Sequence, residues 1–157
     1  MLVLYVVVLL WLVLFKLKVH IFSVFHHHYR SLNLIPFAAP SMVHGEIGYG
    51  EMVYNCLFFI PFGLLLNVNF KQIKFLPKLA FILVFSISVE VVQYIFAIGA
   101  TDITDVIMNT LGGFIGLKLY SVCNKLISSE RLDGIIISLG AVLLVLAMLA
   151  RSRITLR

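Results

Sequence analysis

Residues 75–98 read FLPKLAFILVFSISVEVVQYIFAI, and the length of that apolar run decides the fold class. At about 1.5 Å of rise per residue, a helix over this stretch reaches across the roughly 30 Å hydrocarbon layer of a bilayer. Its charged residues are Lys78, near one end, and Glu90 within it. Further apolar segments lie on both sides, at 1–15 (MLVLYVVVLLWLVLF), 51–68, 103–123 and 134–150. With the central span taken as 76–98, the pattern predicts an all-α, polytopic membrane helix bundle of about five transmembrane helices. Four spans plus one re-entrant or interfacial segment is the alternative. The first run lacks a basic stretch before it and a small-residue cleavage site behind it, so it reads as a retained helix and not a signal peptide. Leu17, Val19 and Ile21 can lengthen that helix while Lys16 and Lys18 snorkel.

Composition agrees. Of 157 residues, 62% are apolar and 12% charged, and the mean hydropathy is +1.09. A soluble domain of this size has too little interior to hide so much apolar surface. No Gly, Ser or Pro run is long enough to act as a linker, so 1–157 reads as a single domain. The formal charge is +5, and the basic residues flank the apolar runs: Lys71, Lys74 and Lys78, then Lys118, Lys125 and Arg131, then Arg151, Arg153 and Arg157. That placement suits anionic lipid headgroups, and no segment is basic enough for nucleic acid to be a partner. Cys56 and Cys123 lack CxxC spacing and read as packing residues.

The first loop, from Lys16 to Glu51, is the longest connection and mixes aromatic with polar residues, as an interfacial or folded-back segment does. His26, His27 and His28 point in different directions on any regular backbone, so no metal site is expected, and no cofactor motif is present. Counts of Lys and Arg do not fix the orientation. The third loop has no Lys or Arg and the second is compact and basic, which favours an inside N-terminus, with the first and third loops sharing the outer face.

Ionisable groups inside a membrane face a bundle interior or a cavity, because hydrocarbon does not solvate them. Glu90 and Gln93 lie three apart on one helix face, about 12 Å from the nearer end of the span. A carboxylate at that depth is protonated, paired or in contact with water. In TDITDVIMNTLGG, Thr101 or Asp102 can cap the fourth helix, with Asp105 answering as in a capping box, and the helix dipole favours a carboxylate there. Asp105 and Asn109 share a face one turn deeper. Gly112 and Gly116 have GxxxG spacing, which permits close helix contact in lipid, with a ligand nest as the other reading. Asn55 precedes FFIPFG as Asn33 opens NLIPF, and Pro36 and Pro61 suggest two similar bends at the edges of one pocket. Arg30 lies three residues before Asn33 and can pair with a carboxylate or a headgroup. Together Arg30, Asn33, Asn55, Glu90, Gln93, Asp102, Asp105 and Asn109 suggest one ligand-binding pocket between helices, opening toward the first loop.

The set Arg30-x-x-NLIPF, Asn55-x-x-FFIPFG, Glu90-x-x-Gln93 and Asp102-Ile-Thr-Asp105-x-x-x-Asn109-Thr-x-Gly112-Gly113-x-x-Gly116 resembles the VanZ-like membrane protein family. The likeness covers a core at about 30–119, beyond which the helix at 134–150 is additional. Many members of that family carry an arginine shortly before the aspartates. Here the run is IGATDITD, so an anion-binding role at that position passes to Arg30. The resemblance implies a multi-pass protein of the bacterial inner membrane with a connection to the cell envelope and to teicoplanin resistance. The function expected first is binding of a lipid-linked or amphipathic envelope ligand, with membrane lipids as partners. A lipid or lipid-carrier hydrolase or transferase using Glu90 and Asp105 as catalytic acid and base is the second, although no Ser-His-Asp or HExxH pattern is present. A small proton-coupled transporter is the third. The uncharged fifth helix reads as a lipid-facing strut or as the contact of a homo-oligomer.

Overall fold

The computed structural model describes residues 1–15, 31–37, 42–43, 46–47, 49–97 and 100–155. Among these residues five helices carry the fold: α1 (Leu2–Phe15), α2 (Tyr49–Asn69), α3 (Phe75–Phe96), α4 (Ile103–Cys123) and α5 (Ser129–Thr155). Four short strands accompany them, β1 (Ser31–Asn33), β2 (Met42–Val43), β3 (Glu46–Ile47) and β4 (Ala100–Asp102). Three helical segments, Met52–Asn69, Phe75–Phe96 and Ile103–Cys123, are long and apolar enough to cross a membrane, and α1 is a shorter apolar helix. The chain is therefore a membrane helix bundle.

α3 shows how this sequence makes a membrane helix. Lys78, Ile82, Ser86, Val89, Glu90 and Gln93 are buried, following one another at helical spacing. On the other side Val84, Ile87, Val91 and Ile95 are exposed. The inward stripe is polar and the outward stripe apolar, the reverse of a soluble amphipathic helix. α3 stops short of Ile98 because Ala97 adopts the left-handed conformation (φ 52°, ψ 38°) and closes the helix by donating its N–H to Gln93 O and Tyr94 O.

α2 and α4 make the tightest contact, and glycine is what permits it. A Cβ on Gly112 would strike the backbone carbonyl of Cys56, one on Gly116 would strike that of Ile60, and one on Gly63 would come within 2.9 Å of Leu117 N. Gly113 meets Ile82 of α3, whose side chain would lie 2.7 Å from an added Cβ. The GxxxG stretch is thus a packing face. With lipid no worse a solvent for apolar groups than the core, such backbone approach and the dispersion it allows supply the association. Around it pack Leu9, Phe59, Phe62, Leu65, Ile82 and Leu117, all nearly inaccessible. α1 contributes Tyr5, Leu9 and Val13, spaced four apart on one face, and Tyr5 Oη donates to Phe58 O at 2.6 Å.

Several expectations change. The helix expected at 134–150 begins at Ser129 and runs to Thr155. Charged residues ended the apolar run in sequence but do not end the helix: Asp133 accepts from Tyr120 Oη at 2.7 Å and pairs with Lys71, so its charge is compensated. The two IPF stretches are not similar bends. Pro61 sits inside α2, which continues through it, whereas Pro36 follows a strand and a turn in which Asn33 Oδ1 accepts from Ile35 N. Finally, the first loop contributes strands. β1 pairs in parallel with β4, setting Ser31 beside Ala100, Leu32 beside Thr101 and Asn33 beside Asp102, while β2 and β3 form an antiparallel pair. The first and third loops therefore meet at one end of the bundle, as expected of loops sharing a face.

Candidate functional site

The polar end of the bundle is built where β4 turns into α4. Asp102 has extended backbone (φ −132°, ψ 127°) and caps the helix, its Oδ1 accepting from Thr104 N at 2.7 Å. Its other oxygen, Oδ2, accepts from Asn33 Nδ2 at 3.0 Å. Asp102 thus closes α4 and holds the first loop in register with one carboxylate, using acceptor positions that a carboxylate has in excess. The arm expected from Asp105 comes from elsewhere: the Asp102 N–H donates to Glu90 Oε2 at 3.1 Å. The capping box is completed across helices, by α3 instead of by the next turn of α4. Thr101 reinforces the junction by donating its hydroxyl to Glu90 O at 3.4 Å. Thr104 accepts the N–H of Phe37 at 3.1 Å, and Phe37 takes a positive φ of 56° to reach it.

Deeper in the bundle, Asp105 is 4% exposed, Glu90 4%, and Gln93 and Asn109 are fully covered. Asn109 Nδ2 donates to Ser86 Oγ at 2.9 Å, joining α4 to α3. Gln93 Nε2 donates to Val13 O at 3.0 Å, joining α3 to α1. Each amide thereby uses one end. Gln93 Oε1 and Asn109 Oδ1 are buried with no hydrogen-bond partner among the described residues, and so is Asn55 Nδ2. Asn55 precedes Cys56, the residue against which Gly112 packs, so the register of α2 on α4 sets it within a turn of the Asn109 level.

Of the eight expected ligand-binding residues, the structure links Asn33, Glu90 and Asp102 directly. It buries Asn55, Gln93, Asp105 and Asn109 toward the same end of the bundle. Arg30 lies outside the described residues, as do His26, His27 and His28. Among the described residues no group of three His, Cys, Asp or Glu side chains is placed to hold a metal ion, and both cysteines are free. Sequence reasoning missed Ser86 and Thr104. Ser86 stands four residues before Glu90, which continues the polar stripe of α3 and could have found it. Thr104 carries no such signal, since its partner, Phe37, is 67 residues away.

Comparison with known proteins gives the family of the chain. Residues 2–124 match the VanZ/LLP1 family. The chain is 57% identical over 154 residues, 98% of its own length and 92% of the relative's, to a protein of Enterococcus faecium described as Protein VanZ. No solved structure matches.

Proposed function

This chain belongs to the VanZ/LLP1 family, and from that premise we propose that it is a multi-pass protein of the bacterial inner membrane that binds a lipid-linked or amphipathic envelope ligand between its helices. Through that ligand it influences susceptibility to teicoplanin. The observation that carries the reading is the set of amide groups left with an unmade hydrogen bond. Asn55, Gln93 and Asn109 each bury a polar atom with no partner among the described residues, beside the buried carboxyls of Glu90 and Asp105. A buried donor or acceptor left unmade costs about 1–3 kcal/mol, and a ligand that supplies hydroxyl, amide or phosphate partners offsets that cost. Apolar walls with a few convergent polar groups are the ordinary make-up of a specific ligand site. Asn33 and Asp102 join β1 to β4 at this end of the bundle.

The test is native mass spectrometry of the protein extracted with its own lipids, wild type against Glu90→Gln, alongside teicoplanin susceptibility of cells carrying Glu90→Gln or Asp105→Asn. Glu90→Gln keeps an oxygen to accept the Asp102 N–H, so abundance in the membrane is expected to be unchanged. A defined lipid retained by wild type and lost from the variant, with susceptibility shifting in parallel, is the expected result. Equal, non-selective adducts and unaltered susceptibility in both variants would overturn it. Turnover of that lipid by the purified wild type would convert the binding site into an active site, with Glu90 and Asp105 as proton carriers.

A further inference from the structure

The opposite end of the bundle carries a second set of polar groups. Lys78, one turn into α3, is only 6% exposed. Its ammonium donates to Asn67 Oδ1 at 2.5 Å, and Asn67 is itself fixed by donating Nδ2 to Leu117 O at 3.0 Å. An ammonium has three protons, and this bond uses one. Lys78 lines a cavity of about 520 Å³ with Asn67, Lys71, Tyr120, Asn124 and Lys125. The carboxylate beside this cluster, Asp133, is engaged by Tyr120 and by Lys71. Among the described residues, Lys78 and Lys125 are left without an acidic partner, so the cavity is net positive and includes a buried cation. Burying a cation without a counter-charge is strongly unfavourable.

A second hollow adjoins it. A groove of about 290 Å³ is lined by Leu66, Phe70, Pro77 and Phe81, and it shares Ile73 and Lys78 with the basic cavity. Phe81 is half exposed on the outer surface of α3, so the groove runs from the lysines toward the lipid-facing wall. A basic hollow joined to an apolar groove matches an amphiphile with an anionic head and a hydrocarbon tail. We propose that this end of the bundle is a lipid site separate from the Glu90 end, taking the phosphate of an anionic phospholipid among Lys78, Lys71 and Lys125 and one acyl chain along Pro77 and Phe81. It stands on residues that the proposed function does not use.

The experiment is retention of added lipid by the purified full-length chain, read by native mass spectrometry with phosphatidylglycerol, with diacylglycerol and with inorganic phosphate as competitor. Wild type is expected to keep phosphatidylglycerol about tenfold better than diacylglycerol, the discrimination that one charge-assisted contact provides. Lys78→Met should bring the two lipids to parity, and Lys125→Gln, at an exposed position, should lower the preference severalfold. Glu90→Gln should leave it intact, which separates this site from the one at the other end. Unchanged preference in Lys78→Met and Lys125→Gln would overturn the site. Complete displacement of phosphatidylglycerol by millimolar phosphate would overturn the lipid as its occupant.

Discussion

Asp102 has two tasks at the residue scale, and they can be separated by substitution. One oxygen caps α4 through Thr104 N, and the other receives Asn33 Nδ2. An N-cap is worth about 1 kcal/mol and the exchange of a polar cap for Ala costs 0.5–2 kcal/mol, with roughly another 1 kcal/mol for the second bond. Asp102→Ala is therefore expected to lower unfolding stability in detergent by about 1–3 kcal/mol. Asp102→Asn, which can still accept from Thr104 N, should recover about half of that. Stability of the Ala variant equal to wild type would show that the cap and the loop contact add nothing. The capping role of Asp102 is legible in the sequence because a cap and its donor lie two residues apart. The partnership of Asp102 with Glu90 is not: a capping-box pattern points to Asp105, and only the packing of α3 on α4 brings Glu90 to the same N–H.

At the scale of the helix, the glycines divide into those that pack and those that do not. A Cβ on Gly116 would meet Ile60 O and come within 3.0 Å of Leu64 N, both backbone atoms, whereas one on Gly134 meets nothing within 4 Å. Gly116→Ala is expected to push α2 from α4 and destabilise the bundle by about 1–3 kcal/mol. Gly134→Ala, in α5, should be neutral or stabilise by about 0.5–1 kcal/mol through helix propensity alone. Thermal unfolding of both variants checks the contrast, and equal effects would remove the packing role from the GxxxG face. The helices themselves are well marked in the sequence, since apolar length and the polar residues between runs locate α2, α3 and α4 to within about two residues. α5 is misjudged at both ends because hydropathy reports what a helix touches and not where its hydrogen bonds stop. Asp133 is helical and charged, held by Tyr120 and Lys71. Lys78 is misread for the related reason that composition places it with the headgroup lysines, while its burial depends on Asn67 of another helix.

For the whole molecule, the short β1–β4 pairing constrains how the chain crosses the membrane. Nothing in the alternation of residues 31–33 announces a strand, and its partner lies 69 residues away, so the contact is invisible to any local reading. Once made, it brings the ends of α2 and α3 back together: the chain leaves β1, goes out along α2, returns along α3 and arrives at β4. The turn joining α2 to α3, with Lys71, must then lie at the other end, and so must the α4–α5 connection that contributes Lys125. The two ends carry different chemistry, carboxyls and amides at one and lysines at the other. Leu34, beside β1, and Leu126, after α4, are both exposed. With Cys56 and Cys123 replaced by Ala, Leu34→Cys and Leu126→Cys are expected to react with a membrane-impermeant maleimide from opposite sides of intact and inverted vesicles. Reaction of both from the same side would mean that α4 does not cross the bilayer, and the separation of the acidic and basic ends by a membrane would fall with it.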